Sequence, residues 1–173
     1  MKKLNALALT LILSATMSLT GCGSSQKKAD ETNTPTEMAN DMGASNDIAN
    51  LELNADSDSG KAASLQTVYF DFNSANLKAD TKAALDNNAE FLKKNTTVEV
   101  QVEGHCDERG GVQYNLALGE RRAAAIKNYL VALGVESSRI TTISFGKMRP
   151  ISFGHTESAW SQNRRGNFVV TAK

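Results

Sequence analysis

Two side chains fifteen residues apart, Asp107 and Arg122, carry charges that complement a small ligand. Asp107 sits in a glycine-punctuated stretch, Glu103-Gly104-His105-Cys106-Asp107-Glu108-Arg109-Gly110-Gly111. Arg122 follows in a segment of helical periodicity, where Asn115, Leu118 and Arg122 recur at i, i+3 and i+7 and share one face. A carboxylate takes an ammonium, and a guanidinium takes a carboxylate through two parallel hydrogen bonds. Held several ångströms apart, such a pair can clamp a zwitterion. The same spacing is also met by an internal salt bridge or by two solvated charges, and an exposed pair contributes at most about 1 kcal/mol. Nucleophilic chemistry has only Glu103, His105 and Cys106 to draw on. Successive strand residues point to opposite faces, so His105 and Cys106 do not converge as nucleophile and base, and with His155 they form at best a sparse metal set. The reading is an inert buried thiol and a supporting histidine, with no metal, no cofactor and no catalysis.

These groups need a scaffold, and hydrophobic periodicity supplies its outline. Residues 67–72 are a β-rich run with Val68, Phe70 and Phe72 on one face. Asn73-Ser74-Ala75-Asn76 is turn chemistry. Asp80 reads as a helix N-cap, for a helix that buries Ala84, Leu85, Asn88, Phe91 and Leu92 and ends near Lys93 and Lys94, where cations are favoured. Val98, Val100 and Val102 alternate with Glu99, Gln101 and Glu103, which predicts a strand with one buried and one polar face. A long helix spans about 113–133, marked by Leu116, Ala123, Ile126, Leu130 and Leu133, with Gly134 just past its end. A third strand over 140–145, a loop with Pro150, a short helix over 158–163 and a last strand over 166–172 complete the order β-α-β-α-β-β. Strand–helix–strand units favour parallel neighbours, and the helix-poor final connection suits antiparallel pairing. The predicted fold is an α/β (α+β) sandwich, a mixed sheet with helices packed on one face.

The 173 residues allow one ordinary domain plus extensions. Residues 1–21 read as a targeting segment: Lys2 and Lys3 precede a mostly apolar run over 4–19 that is too short for a bilayer span. Residues 22–64 read as a disordered tether, because from 23 to 64 eight acids face three lysines and no aromatic residue appears. Its 42 residues after Cys22 reach about 140 Å when extended. The domain is predicted over 65–173, where fourteen bases face eleven acids. That excess is too small for nucleic-acid binding, and no basic stripe with aromatics appears. Cys22 and Cys106 are the only cysteines, so a disulfide framework is excluded if Cys22 is modified.

Leu19-Thr20-Gly21-Cys22 resembles the lipobox of bacterial lipoproteins, which implies a lipidated Cys22. Gly23 in place of an aspartate implies the outer membrane. Glu103 through Gly110, Tyr114-Asn115 and Leu118-Gly119-Glu120-Arg121-Arg122-Ala123 resemble the OmpA-like peptidoglycan-binding domain, most closely in its lipoprotein members. Val68-Tyr69-Phe70-Asp71-Phe72, Ser144-Phe145-Gly146-Lys147, Gly154-His155 and Asn163-Arg164-Arg165 extend the likeness to about residues 67–170. The resemblance implies that the ligand is the peptidoglycan stem peptide, through the amine and carboxylate that share one carbon of meso-diaminopimelate. It implies that Asp107 and Arg122 grip that end, that Phe72 and Asn73 line the pocket, and that Leu118 packs on the methylenes. It places Asn115, Asn163 and Arg165 at the same site. It further implies TolB and TolA as partners, with Glu108 and Arg109 on a rim used by TolB, and a task at cell division. Cys106 stands where the family commonly has threonine or alanine, a small-for-small exchange. A porin tail requires a preceding β-barrel and a flagellar stator a transmembrane helix, and neither pattern is present. Trp160 reads as packing and not as a sugar platform.

Overall fold

The computed structural model describes Ile48 and residues 51–173. The targeting segment, Cys22 and the greater part of the acidic stretch lie outside the described residues. Within them the order is β1 (Val68–Tyr69), α1 (Ala79–Lys94), β2 (Glu99–His105), α2 (Val112–Ala132), a 3-10 turn (Ser137–Arg139), β3 (Ile140–Gly146), α3 (Glu157–Asn163) and β4 (Arg165–Ala172).

The strands form one mixed sheet in the order β1-β4-β2-β3. β2 and β3 are parallel across the α2 crossover, whereas β4 is antiparallel to both β2 and β1. The predicted mixed sheet is therefore present, with one rearrangement: β1 and β2 are not neighbours, because β4 inserts between them. β4 pairs with β2 over most of its length, whereas β1 offers only two residues. Val100 and Val102 lie opposite Val170 and Phe168, and these side chains meet Leu85, Ile126 and Leu130 in the core. Full burial of each such side chain stabilises by about 2 kcal/mol.

Local chemistry sets the helix ends. Asp80 is not the N-cap of α1: that position is Lys78, without a side-chain cap. Asp80 lies in the first turn, where a carboxylate still complements the helix dipole. Thr81 then ties the helix to β1 by donating to the Tyr69 carbonyl at 2.9 Å. α2 ends in a Schellman motif, as Gly134 implies. Gly134 adopts φ +94, its N–H reaches the Val131 carbonyl at 3.0 Å, and the Val135 N–H reaches the Leu130 carbonyl at 3.1 Å.

The N-terminal boundary of the packed domain falls earlier than residue 65. Leu51, Ala62 and Leu65 are buried core members. Residues 54–57 pair with β4: the Asn54 N–H donates to the Val170 carbonyl and the Ser57 N–H to that of Phe168, both at 2.9 Å. The predicted tether thus does not include 51–64. Its sparse apolar residues find burial because the backbone extends the sheet edge, a partner that local composition does not reveal. The same segment changes the far half of the polar face of β2: Glu103 and His105 are buried there, whereas Glu99 stays exposed and Gln101 is half-buried. Asp58 pairs with Arg165 at 2.7 Å, Ser57 donates to Asn167 at 2.8 Å, and Asn167 donates to Glu103 at 3.0 Å. His105 continues the network, with Nε2 3.2 Å from Glu103 and its ring stacked on Phe145. The Arg165 side chain is only 3% exposed. Asp58→Ala should therefore leave a buried guanidinium without its counter-ion and cost about 3 kcal/mol, read as a lower urea midpoint. A midpoint unchanged from wild type would show that the Asp58–Arg165 pair adds nothing to the fold.

Candidate functional site

At the carboxyl end of β2 three segments converge: the β1–α1 loop, the β2–α2 loop and the first turns of α2. Two glycines permit this. Gly104 of β2 and Gly119 of α2 lie in backbone contact, and a Cβ on Gly104 would fall 1.9 Å from the Gly119 carbonyl oxygen. The approach brings Leu118 and Arg122 beside Asp107. The β2–α2 loop is held from both sides. Asn115 donates to the carbonyls of Arg109 at 2.8 Å and Gly111 at 3.1 Å, and Lys147 donates to those of Glu108 at 3.0 Å and Gly110 at 2.7 Å. Gly110 takes φ +85, a left-handed conformation that suits glycine.

The result is a pocket of about 160 Å³ lined by Phe72, Asn73, Asp107, Asn115, Leu118 and Arg122. Six of the eight positions selected from sequence share this one cavity. Its wall also includes Cys106, Arg109, Gly110, Tyr114 and Arg164. Asn73 has φ +53 and accepts a hydrogen bond from the Tyr114 hydroxyl, which fixes the mouth. Phe72 does not share an inward strand face with Val68 and Phe70. β1 ends at Tyr69, and Phe72 stands 57% exposed at the rim.

Arg122 is wholly buried. Its Nε donates to the Ser74 carbonyl at 2.8 Å, Nη1 to that of His105 at 2.7 Å and Nη2 to that of Asp71 at 2.9 Å. Its guanidinium carbon lies 4.9 Å from the centre of the Phe70 ring. It enters no ion pair among the described residues. Burial pulls its pKa down, yet a guanidinium remains charged. The floor of the pocket is therefore a cation solvated by carbonyl dipoles and the Cys106 sulfur, with no carboxylate paired to it among the described residues, a setting that attracts an anion.

Asp107 is the opposite case. Its carboxylate is 4% exposed and accepts from the Arg109 backbone and Nε at 3.1 and 3.2 Å, from Arg109 Nη2 at 2.6 Å and from Arg164 Nη1 at 3.2 Å. Burial works to raise its pKa, but the hydrogen bonds from Arg109 and Arg164 outweigh it and hold the carboxyl below its ordinary value. Arg109 also lies between two aromatic faces, 3.9 Å from the Phe72 ring and 4.1 Å from that of Trp160. Trp160 is held in turn, donating Nε1 to Glu108 at 2.8 Å, and Glu108 also meets His155 at 2.7 Å.

Two positions selected from sequence lie elsewhere. Arg165 faces the other side of the sheet and pairs with Asp58. Asn163 ties down the loop before α3, accepting from the Ile151 N–H at 2.8 Å and donating to the Ser152 carbonyl at 2.7 Å. Arg164, one residue earlier than Arg165, is the arginine that reaches Asp107. Arg109, placed on a partner-binding rim by the sequence reading, is part of the pocket wall. One local signal pointed there: an aspartate accepting from the backbone two residues on is a common turn device.

His105 and Cys106 diverge, as strand alternation predicts. Cys106 Sγ donates to the Asn115 carbonyl at 3.4 Å under the pocket, and burial pushes its pKa up, opposite to what a nucleophile needs. Among the described residues no group of three or more His, Cys, Asp or Glu side chains is arranged to hold a metal ion.

Residues 69–164 match the OmpA family. A peptidoglycan-associated lipoprotein of Rhizobium meliloti (strain 1021) is 48% identical over 103 residues, which cover 60% of this chain and 58% of that relative. The one of Pasteurella multocida (strain Pm70) is 37% identical over 165 residues, 95% of this chain and 97% of the relative. The chain thus spans under two thirds of the first relative and nearly all of the second. Among solved structures, the peptidoglycan-associated lipoprotein of Burkholderia pseudomallei is 40% identical with a TM-score of 0.59, over 61% of this chain and 89% of that one.

Proposed function

Since this chain belongs to the OmpA family, and within it to the peptidoglycan-associated lipoproteins, we propose that it is a non-covalent anchor joining the outer membrane to the cell wall. The ligand of the pocket is the stem peptide of peptidoglycan, held by the zwitterionic end of meso-diaminopimelate. The observation that carries this reading is the pairing of a buried cation, Arg122, that has no carboxylate partner among the described residues, with a buried carboxylate, Asp107, in one cavity. The ligand carboxylate answers the first and the ligand ammonium the second. Leu118 and Phe72 supply apolar walls for the methylenes between them.

Lipidation of Cys22 places the chain in the outer membrane. The acidic residues before Leu51 link that anchor to the domain, which faces the periplasm. No bond is made or broken, consistent with the divergence of His105 and Cys106. TolB and TolA act as partners, so that the anchor serves envelope integrity and constriction at division. Asp107→Asn keeps the shape of the pocket and removes its negative charge. It is expected to lower binding to purified sacculi at least about tenfold, or 1.4 kcal/mol, measured by co-sedimentation with circular dichroism as the folding control. Wild-type sedimentation of a folded Asp107→Asn variant would sink the reading.

A further inference from the structure

Arg109 already stands where the cation of a ligand has to go. Three of the four hydrogen bonds to Asp107 come from it, and the fourth comes from Arg164. An ionised carboxylate has about four lone-pair sites, so Asp107 has none left for an arriving ammonium. The guanidinium of Arg109 lies between the rings of Phe72 and Trp160, with Glu157 at 3.7 Å. Aromatic faces around a cation, with a carboxylate at the edge, are how proteins recognise foreign cations. Here the bound cation is the chain's own.

The two arginines on Asp107 differ in freedom. The side chain of Arg164 is 7% exposed and is fixed by the Phe70 carbonyl at 3.1 Å and Glu157 at 2.5 Å. That of Arg109 is 30% exposed and precedes Gly110 and Gly111. Its guanidinium can swing outward without opening the core. The slot survives its departure, because Trp160 is held separately by Glu108.

We propose that Arg109 is a built-in occupant of the cation slot formed by Asp107, Phe72 and Trp160, and that a zwitterionic ligand enters by displacing it. This rests on the reading of the pocket as a diaminopimelate site. Arg109 then sets specificity. A tethered group competes at an effective concentration on the order of millimolar, which a lone amine does not overcome. A ligand whose ammonium arrives together with a carboxylate for Arg122 has a second contact and wins.

Trp160 is the only tryptophan and forms one wall of the slot, so its emission reports occupancy. The full chain in detergent is titrated with meso-diaminopimelate, cadaverine and methylguanidinium, as wild type and as Arg109→Ala. In the wild type only diaminopimelate should shift the emission saturably. In Arg109→Ala, methylguanidinium and cadaverine should also do so, and diaminopimelate should bind about tenfold tighter because the competing occupant is gone. Where the wild type binds diaminopimelate, weaker or unchanged binding by the variant overturns the proposal, and so does a slot that ignores methylguanidinium. Methylguanidinium entering the variant while neither protein responds to diaminopimelate upholds Arg109 as occupant and overturns the ligand reading instead.

Discussion

Gly104→Ala is expected to destabilise the domain by about 4 kcal/mol or more, enough to abolish cooperative folding in a domain of ordinary stability. The reason is a contact between backbones. The added Cβ would lie 1.9 Å from the carbonyl oxygen of Gly119, 2.6 Å from its carbonyl carbon and 3.0 Å from its Cα. A flexible side chain can turn away from such an intrusion, but a helix backbone cannot. α2 has to move off β2 as a body, and the tightly packed core that both contribute to opens with it. The reciprocal change, Gly119→Ala, meets Ser144 Oγ at 2.3 Å and the Gly104 carbonyl oxygen at 2.7 Å, so the interface is closed from both sides. Gly111→Ala is the control: its Cβ meets nothing within 4 Å, and the expected change is within about 1 kcal/mol. Urea denaturation of the three variants separates these outcomes. A Gly104→Ala midpoint equal to that of Gly111→Ala would mean that α2 does not rest on β2 at this point.

Those two glycines also mark how far sequence carries the fold. Val98, Val100 and Val102 announce β2, and Gly134 announces the end of α2, because each signal is local and the backbone answers it locally. Gly104 and Gly119 are visible as a pattern, but their purpose, one backbone touching another fifteen residues away, belongs to tertiary structure. Residues 51–64 escaped for a related reason. Leu51, Ala62 and Leu65 are too sparse to show periodicity, and their burial depends on a β4 edge more than a hundred positions later. At the pocket, spacing makes Asp107 and Arg122 legible only as a charge pair; the family resemblance makes them legible as one group with Phe72, Asn73, Asn115 and Leu118, and the six line one cavity. The choice between Arg164 and Arg165 is not legible, because strand alternation sends neighbours to opposite faces and a one-residue shift of phase inverts the assignment. Arg109 reads from sequence as a rim residue that docks a partner or is solvated, because a charge on a glycine-rich loop is ordinarily solvated. Its two aromatic neighbours come from residues 72 and 160, which nothing in the local sequence joins to it.

Arg122 is the residue at which fold and binding are hardest to separate, and its replacement should show both. Arg122→Met fills a similar volume without charge or donors. It leaves the carbonyls of Asp71, Ser74 and His105 without the guanidinium that joins them. Each deserted acceptor costs about 1–3 kcal/mol where water does not reach it. Against that stands the desolvation of a buried charge, which the variant no longer bears. The Asp71 and Ser74 carbonyls are only partly buried, so the net loss should be about 2–4 kcal/mol. Sacculus binding should fall on the order of a hundredfold even where the variant is fully folded, since the cation at the pocket floor is gone and a loss of that size corresponds to about 2.7 kcal/mol. Arg122→Lys separates the two contributions. Its ammonium restores the charge but does not span three carbonyls on a loop and a strand end, so it should be nearly as unstable as Arg122→Met and yet bind roughly tenfold better. If the methionine and lysine variants bind sacculi equally well at a temperature where both are folded, the charge of Arg122 plays no part in holding the ligand. Its place would then be purely that of a tie between the loop after β1 and the end of β2.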